Sequence, residues 1–313
     1  MFPEIQVVLL HNQLVKPPKI KRLKAVIIEA EPRWDELDRL YSHPKNFRGN
    51  FWLTSSARLF ALENYMNFSN EEMIHLESDV IVSRDFPFES FHELEKGLAF
   101  PLISNQRGVA SVVYIRDKEA AKILTSTLIS DARKDSQTTE MLSLKKVYEV
   151  NKDKIQILPI GPRHVGAYRN VDLNTIEELM NAHKIFNGVF DGVEVGQFFA
   201  GTDPRNRRGK ILLRHDLVEG FAKIKDWTLV YDSSRSFVNI GMKGEKDDCK
   251  AFALHMPVKD PRIFHSKTQA KTLIHFCSKG SKPESIKISK KTLLLAILGK
   301  VRRQINLKKL KRK

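Results

Sequence analysis

Two carboxylates, separated by a single serine, occur in the segment 75–80, which reads His-Leu-Glu-Ser-Asp-Val. The acids follow a short apolar run. In an extended chain, residues i and i+2 point to the same side, so Glu77 and Asp79 can face one ligand together. Paired carboxylate oxygens at the end of a strand suit a divalent cation such as Mn²⁺ or Mg²⁺, and such a cation can bridge a diphosphate. The alternative is a solvated acidic turn between two strands.

A second candidate is the stretch 190–206, in which three glycines and three acids surround a short apolar segment. Local structure accounts for part of it. Asp191 can cap a helix, Glu194 can close a capping box, and Gly201 can end the helix. It does not account for Gly192 and Gly196 inside that helix, because two such glycines cost roughly 1–2 kcal/mol relative to alanine. We therefore expect another backbone or a ligand to approach closely here.

The elements that must position these residues alternate between strands and helices as far as residue 160. Apolar patterning predicts strands over 5–11, 25–30, 73–76, 97–103, 110–115 and 155–160, and helices over 54–66, 117–129 and 138–150. Thr54 or Ser55 can cap the first of these helices. His11 ends the first strand, where it could touch a ligand or be an ordinary loop histidine. The alternation predicts an α/β fold with a mostly parallel sheet and helices on both faces.

The helix that carries Arg58, followed by the segment 74–80, resembles the DxD region of nucleotide-sugar glycosyltransferases with the Rossmann-like GT-A fold. The resemblance implies that Asp79 binds Mn²⁺ or Mg²⁺ and that Glu77 contacts the sugar nucleotide. It also implies that Arg58 faces the nucleotide or its phosphates; a solvated helix arginine is the alternative. Glu77 departs from the pattern, because the family usually has a shorter aspartate there.

The stretch 190–206 resembles a block found in a group of bacterial and viral glycosyltransferases. That block has Phe-Asp, a few mostly small residues, Gly-Gln-aromatic and then Gly-x-Asp-Pro-Arg-Asn. The resemblance implies a loop and helix that line the donor and acceptor, with Asp191 as the catalytic carboxylate nearest the reacting sugar. Gly192 would contact substrate, and Gln197 would bind a hydroxyl. Asp203 and Arg205 would touch substrate or form an ion pair, and the alternative for both is a structural turn.

The segment 253–259, Ala-Leu-His-Met-Pro-Val-Lys, resembles the block Leu-His-(Ile/Val)-His-Ser-Lys of the same group. The resemblance implies that His255 completes the metal site and that Lys259 binds substrate. Pro257 replaces the second histidine of the block, and His265 is a rival metal ligand. The resemblance to glycosyltransferases extends over roughly residues 45–260.

The positive charge is concentrated at the C-terminal end. The chain carries a formal net charge of +16, of which residues 279–313 contribute +12, from thirteen Lys or Arg and one acid. A body with little excess charge argues against nucleic-acid binding. The composition changes abruptly over 279–283, so we expect a catalytic domain over 1–278 and a tail over 279–313. Two isolated cysteines, no signal-peptide pattern and no apolar run long enough to span a bilayer predict a cytoplasmic protein.

The tail has a pattern of its own. Apolar residues fall on one helical face among the cations: Leu294, Ile297, Leu298, Val301 and Ile305. This basic amphipathic pattern predicts peripheral binding to the anionic inner face of a membrane, where a lipid-linked or other glycan acceptor would lie. An RNA-binding tail and a solvated end are the alternatives. For the whole chain, the rivals to a glycosyltransferase are a nucleic-acid-binding protein and an inactive scaffold with the same fold.

Overall fold

The computed structural model describes residues 6–11, 23–27, 32–47, 49–200, 220–232 and 237–255. Asp203, Arg205, Lys259, His265 and the tail over 279–313 therefore lie outside the described residues. Within these ranges the chain forms an α/β fold. No helix in this part of the chain combines the length and apolarity that crossing a membrane requires.

Twelve strands and seven α-helices can be assigned in the described ranges. The strands are β1 (Val7–His11), β2 (Leu23–Ile27), β3 (Met73–Leu76), β4 (Val80–Val82), β5 (Leu98–Ser104), β6 (Arg107–Gly108), β7 (Val112–Ile115), β8 (Ile155–Leu158), β9 (Gly188–Phe190), β10 (Trp227–Asp232), β11 (Phe237–Met242) and β12 (Asp248–His255). The helices are α1 (Pro32–Leu40), α2 (Phe51–Ser69), α3 (Phe88–His92), α4 (Lys118–Lys134), α5 (Glu140–Val150), α6 (Leu173–Phe186) and α7 (Glu194–Ala200).

The expectation of a mostly parallel sheet was wrong for the described strands, because six of their nine pairings are antiparallel. In the sheet that contains β3, strand β7 lies between β3 and β5 and is antiparallel to both. Among the described strands of this sheet, only β8 and β5 form a parallel pair. Residues 105–111 separate β5 from β7. That connection is too short for the crossover of about a dozen residues that parallel neighbours need.

A second sheet has the order β10-β11-β12-β4, and β9 pairs in parallel with β12. Strand β3 belongs to the first sheet and β4 to the second, so residues 77–79 carry the chain from one sheet to the other. In the pairing of β4 with β12, His255 lies opposite Val80. The acidic pair and the end of β12 consequently meet where the two sheets join.

The three expected helices are present, and their ends differ from the expected bounds by up to five residues. Thr54 and Ser55 do not cap α2, which begins at Phe51 after Asn50; the Thr54 hydroxyl instead donates to the Asn50 carbonyl. The expected starts of α4 and α5 are confirmed within three residues, with side-chain caps at Asp117 and Thr139. Helix α2 packs against α4 and α5. This packing fixes the part of α2 that carries Arg58.

Candidate metal centre

Three side chains converge at the junction of the two sheets. Glu77, Asp79 and His255 each offer a ligand atom, and these atoms lie within 4.8 Å of one another. His255 Nε2 is 3.3 Å from Glu77 Oε2 and 3.4 Å from Asp79 Oδ1. A cation bound about 2.1 Å from each ligand keeps its ligands about 3–4 Å apart. The group can therefore hold a metal ion, as the sequence predicted for Asp79 and His255.

Backbone hydrogen bonds set the geometry of the acidic segment. The Glu77 N–H donates to the Ser111 carbonyl over 3.1 Å, and the Val80 N–H donates to the Glu77 carbonyl over 3.0 Å. The second bond closes a tight turn that leads from β3 into β4, so the extended chain expected over Glu77 and Asp79 was wrong. Because β4 then pairs with β12, the turn also brings the two acids to His255.

His255 is held in a defined orientation. Its Nδ1 contacts the Gly192 carbonyl, so the ring donates from Nδ1 and directs Nε2 toward the two acids. A metal-binding histidine commonly has this arrangement, because the backbone carbonyl fixes the tautomer. Burial lowers the pKa of His255, but its hydrogen bond to Asp79 and the charges of Glu77 and Asp79 outweigh burial and raise the pKa to about 9. The two acids thus create a strong local preference for positive charge at Nε2.

Asp191 is enclosed by backbone donors. Its side chain accepts hydrogen bonds from the N–H groups of Val195 (3.0 Å), Gly196 (2.8 Å) and His255 (3.1 Å), and the residue is 1% exposed. Burial raises the pKa of Asp191, and these N–H donors oppose the rise. The carboxylate joins the first turn of α7 to the end of β12. This geometry favours a role in positioning His255, and the catalytic role remains a prediction.

The expected capping box is absent from the described contacts of α7. Glu194 does not reach back to Asp191 but accepts from the Ala222 N–H over 3.4 Å. Burial, the largest effect, and the nearby charge of Asp191 raise the pKa of Glu194 well above its usual value. The sequence pattern identified a true helix start but assigned Glu194 the wrong partner.

Gly192 and Gly196 both lie close to His255, at the junction of the two sheets. A Cβ on Gly196 would lie 1.7 Å from the His255 carbonyl oxygen, which confirms the expected close approach of another backbone. Gly192 precedes α7, so its placement inside the helix was wrong. A Cβ there would lie 2.3 Å from Ile103 Cγ2, and its carbonyl contacts His255. Gly196 thus allows the close approach of the His255 backbone, and Gly192 allows the close approach of Ile103. Substrate contact by Gly192 remains a prediction.

Three further residues that the sequence predicted to bind substrate, Arg58, Gln197 and His11, lie within the described ranges. Arg58 is not a solvated helix arginine, because its guanidinium contacts Glu77. Gln197 is 8% exposed, and its Oε1 has no hydrogen-bond partner among the described residues. An unpaired buried amide oxygen is costly, so it is a candidate contact for a ligand hydroxyl. His11 ends β1, which pairs only with β2 among the described strands.

The chain matches no protein-family model, no curated protein and no solved structure. The function of the centre must therefore be inferred from the chemistry of its side chains. Its three side chains are only 11–18% exposed, so they form a recessed group that solvent can still reach. Two carboxylates with one imidazole can bind a divalent cation and leave further coordination positions for an anionic ligand.

Two residues that sequence reasoning missed support the centre. Ser111 is fully buried; its carbonyl accepts from the Glu77 N–H and its hydroxyl donates to the Asp191 carbonyl over 3.1 Å. Glu140, the first residue of α5, contacts Arg58. A single serine in an apolar run and an acid in the first turn of a helix are both common. Neither carried a signal that could have identified it.

Proposed function

We propose that the protein is a nucleotide-sugar-dependent glycosyltransferase of the GT-A type. It would transfer a sugar from a nucleotide-sugar donor to an acceptor hydroxyl in the synthesis of a surface glycan or glycolipid. The observation that carries the proposal is the group formed by Glu77, Asp79 and His255 at the junction of the two sheets. These are the residues to which the resemblance assigned the donor and its metal.

The ligand atoms of Glu77, Asp79 and His255 suit a divalent cation. Glu77 Oε2 is buried, has no hydrogen bond within the described part of the chain, and faces His255 Nε2. Carboxylate oxygens bind both Mn²⁺ and Mg²⁺, while an imidazole nitrogen favours Mn²⁺. We therefore propose Mn²⁺ as the preferred cofactor and Mg²⁺ as its substitute.

When bound, the cation would neutralise the donor diphosphate and stabilise the leaving group. Asp79 and Glu77 would hold it by carboxylate oxygens, and His255 would hold it by Nε2. Gln197 Oε1 would accept a hydrogen bond from a sugar hydroxyl, which would give a partner to a buried atom that has none among the described residues. Asp203, Arg205 and Lys259 are proposed substrate contacts on the resemblance alone. The acceptor hydroxyl would attack the anomeric carbon as the bond from that carbon to the diphosphate breaks, and the nucleoside diphosphate would leave. In an inverting reaction, the resemblance makes Asp191 the base that takes the hydroxyl proton.

A thermal-shift panel of nucleotide sugars, with Mn²⁺ or with EDTA, tests this function. One donor class should raise the melting temperature in Mn²⁺ and have no effect in EDTA. A ligand at about 100 times its Kd stabilises the folded state by about 2.7 kcal/mol, which is a shift of several degrees. Stabilisation by Mn²⁺ with no added effect of any nucleotide sugar would refute the glycosyltransferase but leave the metal centre intact. An inactive scaffold would bind donor without transferring or hydrolysing it.

The tail supports a proposal about location. We propose that residues 279–313 hold the enzyme at the anionic inner face of a membrane, where a lipid-linked acceptor would lie. Each Lys or Arg near such a surface contributes about 1 kcal/mol, and the thirteen cations in this segment form a strong attraction. The attraction should weaken as salt increases.

Vesicle sedimentation tests the tail. The full chain should bind vesicles rich in anionic lipid and not neutral ones, and deletion of residues 286–313 should abolish this binding. The deletion should leave the melting temperature and transfer to a soluble acceptor unchanged, because the proposed catalytic residues precede it. Equal binding to both vesicle types, or tighter binding to RNA than to anionic vesicles, would refute the membrane assignment.

A further inference from the structure

A series of polar contacts between buried and partly buried side chains adjoins the candidate metal centre. Arg58 Nη1 contacts Glu77 Oε1, and Arg58 Nη2 lies 3.5 Å from Glu140 Oε1. The other oxygen of Glu140 accepts from the Ser55 hydroxyl over 2.9 Å. The series Ser55, Glu140, Arg58 and Glu77 therefore connects α5 and α2 to the end of β3.

We infer that Arg58 is a positioning residue that fixes the Glu77 carboxylate for cation binding, and that Glu140 holds Arg58 in place. This inference rests on the proposed metal centre. It departs from the expectation that Arg58 faces the donor phosphates.

The two carboxylate oxygens of Glu77 contact different partners. Oε1 contacts the guanidinium, and Oε2 faces His255 Nε2 at 3.3 Å. Glutamate has one more rotatable bond than the aspartate usual at this position, so its carboxylate needs an additional restraint. The rigid planar fork of arginine supplies such a restraint, whereas the flexible ammonium of lysine does not. Arg58 thus compensates for the longer side chain.

Glu140 explains why Arg58 stays in this position. Glu140 is 4% exposed, and burial raises its pKa while the charge of Arg58 lowers it. A buried carboxylate is costly without a partner, so Glu140 and Arg58 stabilise each other. A guanidinium placed between Glu77 and Glu140 has little freedom to swing toward a diphosphate. Its positive charge also reduces the repulsion between Glu77 and Asp79.

The test measures Mn²⁺ binding without nucleotide, by the loss of the free-ion EPR signal during titration of the full chain. Arg58→Lys keeps the charge and removes the fork, so it should raise the Kd for Mn²⁺ by about 10- to 100-fold, as expected for residues that orient a ligand. Glu140→Gln should raise the Kd less. The double variant should equal Arg58→Lys, because Glu140 acts through Arg58.

Arg33→Lys is the matched control, because Arg33 pairs with buried Glu63 of α2 at 2.9 Å and takes no part in the centre. It should leave the Kd for Mn²⁺ unchanged. An unchanged Kd in Arg58→Lys, with weaker donor binding at saturating Mn²⁺, would make Arg58 a donor contact and overturn the inference alone. Absence of Mn²⁺ binding by the wild-type chain would instead overturn the metal centre, and this inference with it.

Discussion

Replacing Asp79 by alanine should abolish Mn²⁺-dependent donor binding and turnover while the protein stays folded. Asp79 supplies one of only three ligand side chains in the described centre, and it lies within 3.4 Å of His255 Nε2. Residues that merely orient a ligand change metal affinity by about 10- to 100-fold, so loss of a direct ligand should exceed about 100-fold. Titration with Mn²⁺, followed by transfer assays in Mn²⁺ and in EDTA, measures the effect.

Asp153→Ala is a suitable control, since Asp153 is an exposed acid in a short helical turn far along the chain from the centre. It should match the wild type in Mn²⁺ affinity and in rate. Full activity of the wild type in EDTA would show that the reaction needs no cation. A normal Kd for Mn²⁺ in Asp79→Ala would place the cation elsewhere.

The parts of the centre that follow from local spacing could be predicted from the sequence. Glu77 and Asp79 follow a strand that was located correctly, over Met73–Leu76. The extended chain expected over the two acids was wrong, because a tight turn brings both side chains to His255. Gly196 was expected to mark a close approach because glycine inside a helix is costly, and the neighbouring backbone belongs to His255. For Gly196, a local energetic rule carried the information.

The parts that depend on pairing between distant segments could not be predicted. Ser111 links Glu77 to Asp191, and Glu140 pairs with Arg58 across 82 positions of sequence. Nothing in the residues around Ser111 or Glu140 distinguishes them from ordinary core and helix-start residues. The strand directions were a different kind of error, because the short connection from β5 to β7 was visible in the sequence and already excluded a parallel pair.

Asp191→Asn separates a positioning role from a catalytic one. Oδ2 of Asp191 accepts from both Gly196 and His255, and Oδ1 accepts from Val195. An asparagine offers one acceptor oxygen and one NH₂ group, so in either orientation at least one buried N–H faces another donor. An unsatisfied buried donor costs about 1–3 kcal/mol, which should lower the melting temperature by several degrees. Because His255 loses a restraint, the Kd for Mn²⁺ should also rise.

The control is Asp172→Asn, since Asp172 is an exposed residue that caps α6 through the Thr175 N–H. An asparagine caps a helix about as well as an aspartate, so stability and Mn²⁺ binding should both stay near wild type. If Asp191→Asn is folded at the assay temperature and keeps the wild-type Mn²⁺ affinity and donor affinity but loses turnover, Asp191 is the catalytic carboxylate. If turnover falls only as far as Mn²⁺ occupancy falls, and returns at saturating Mn²⁺, Asp191 acts by holding His255 in place.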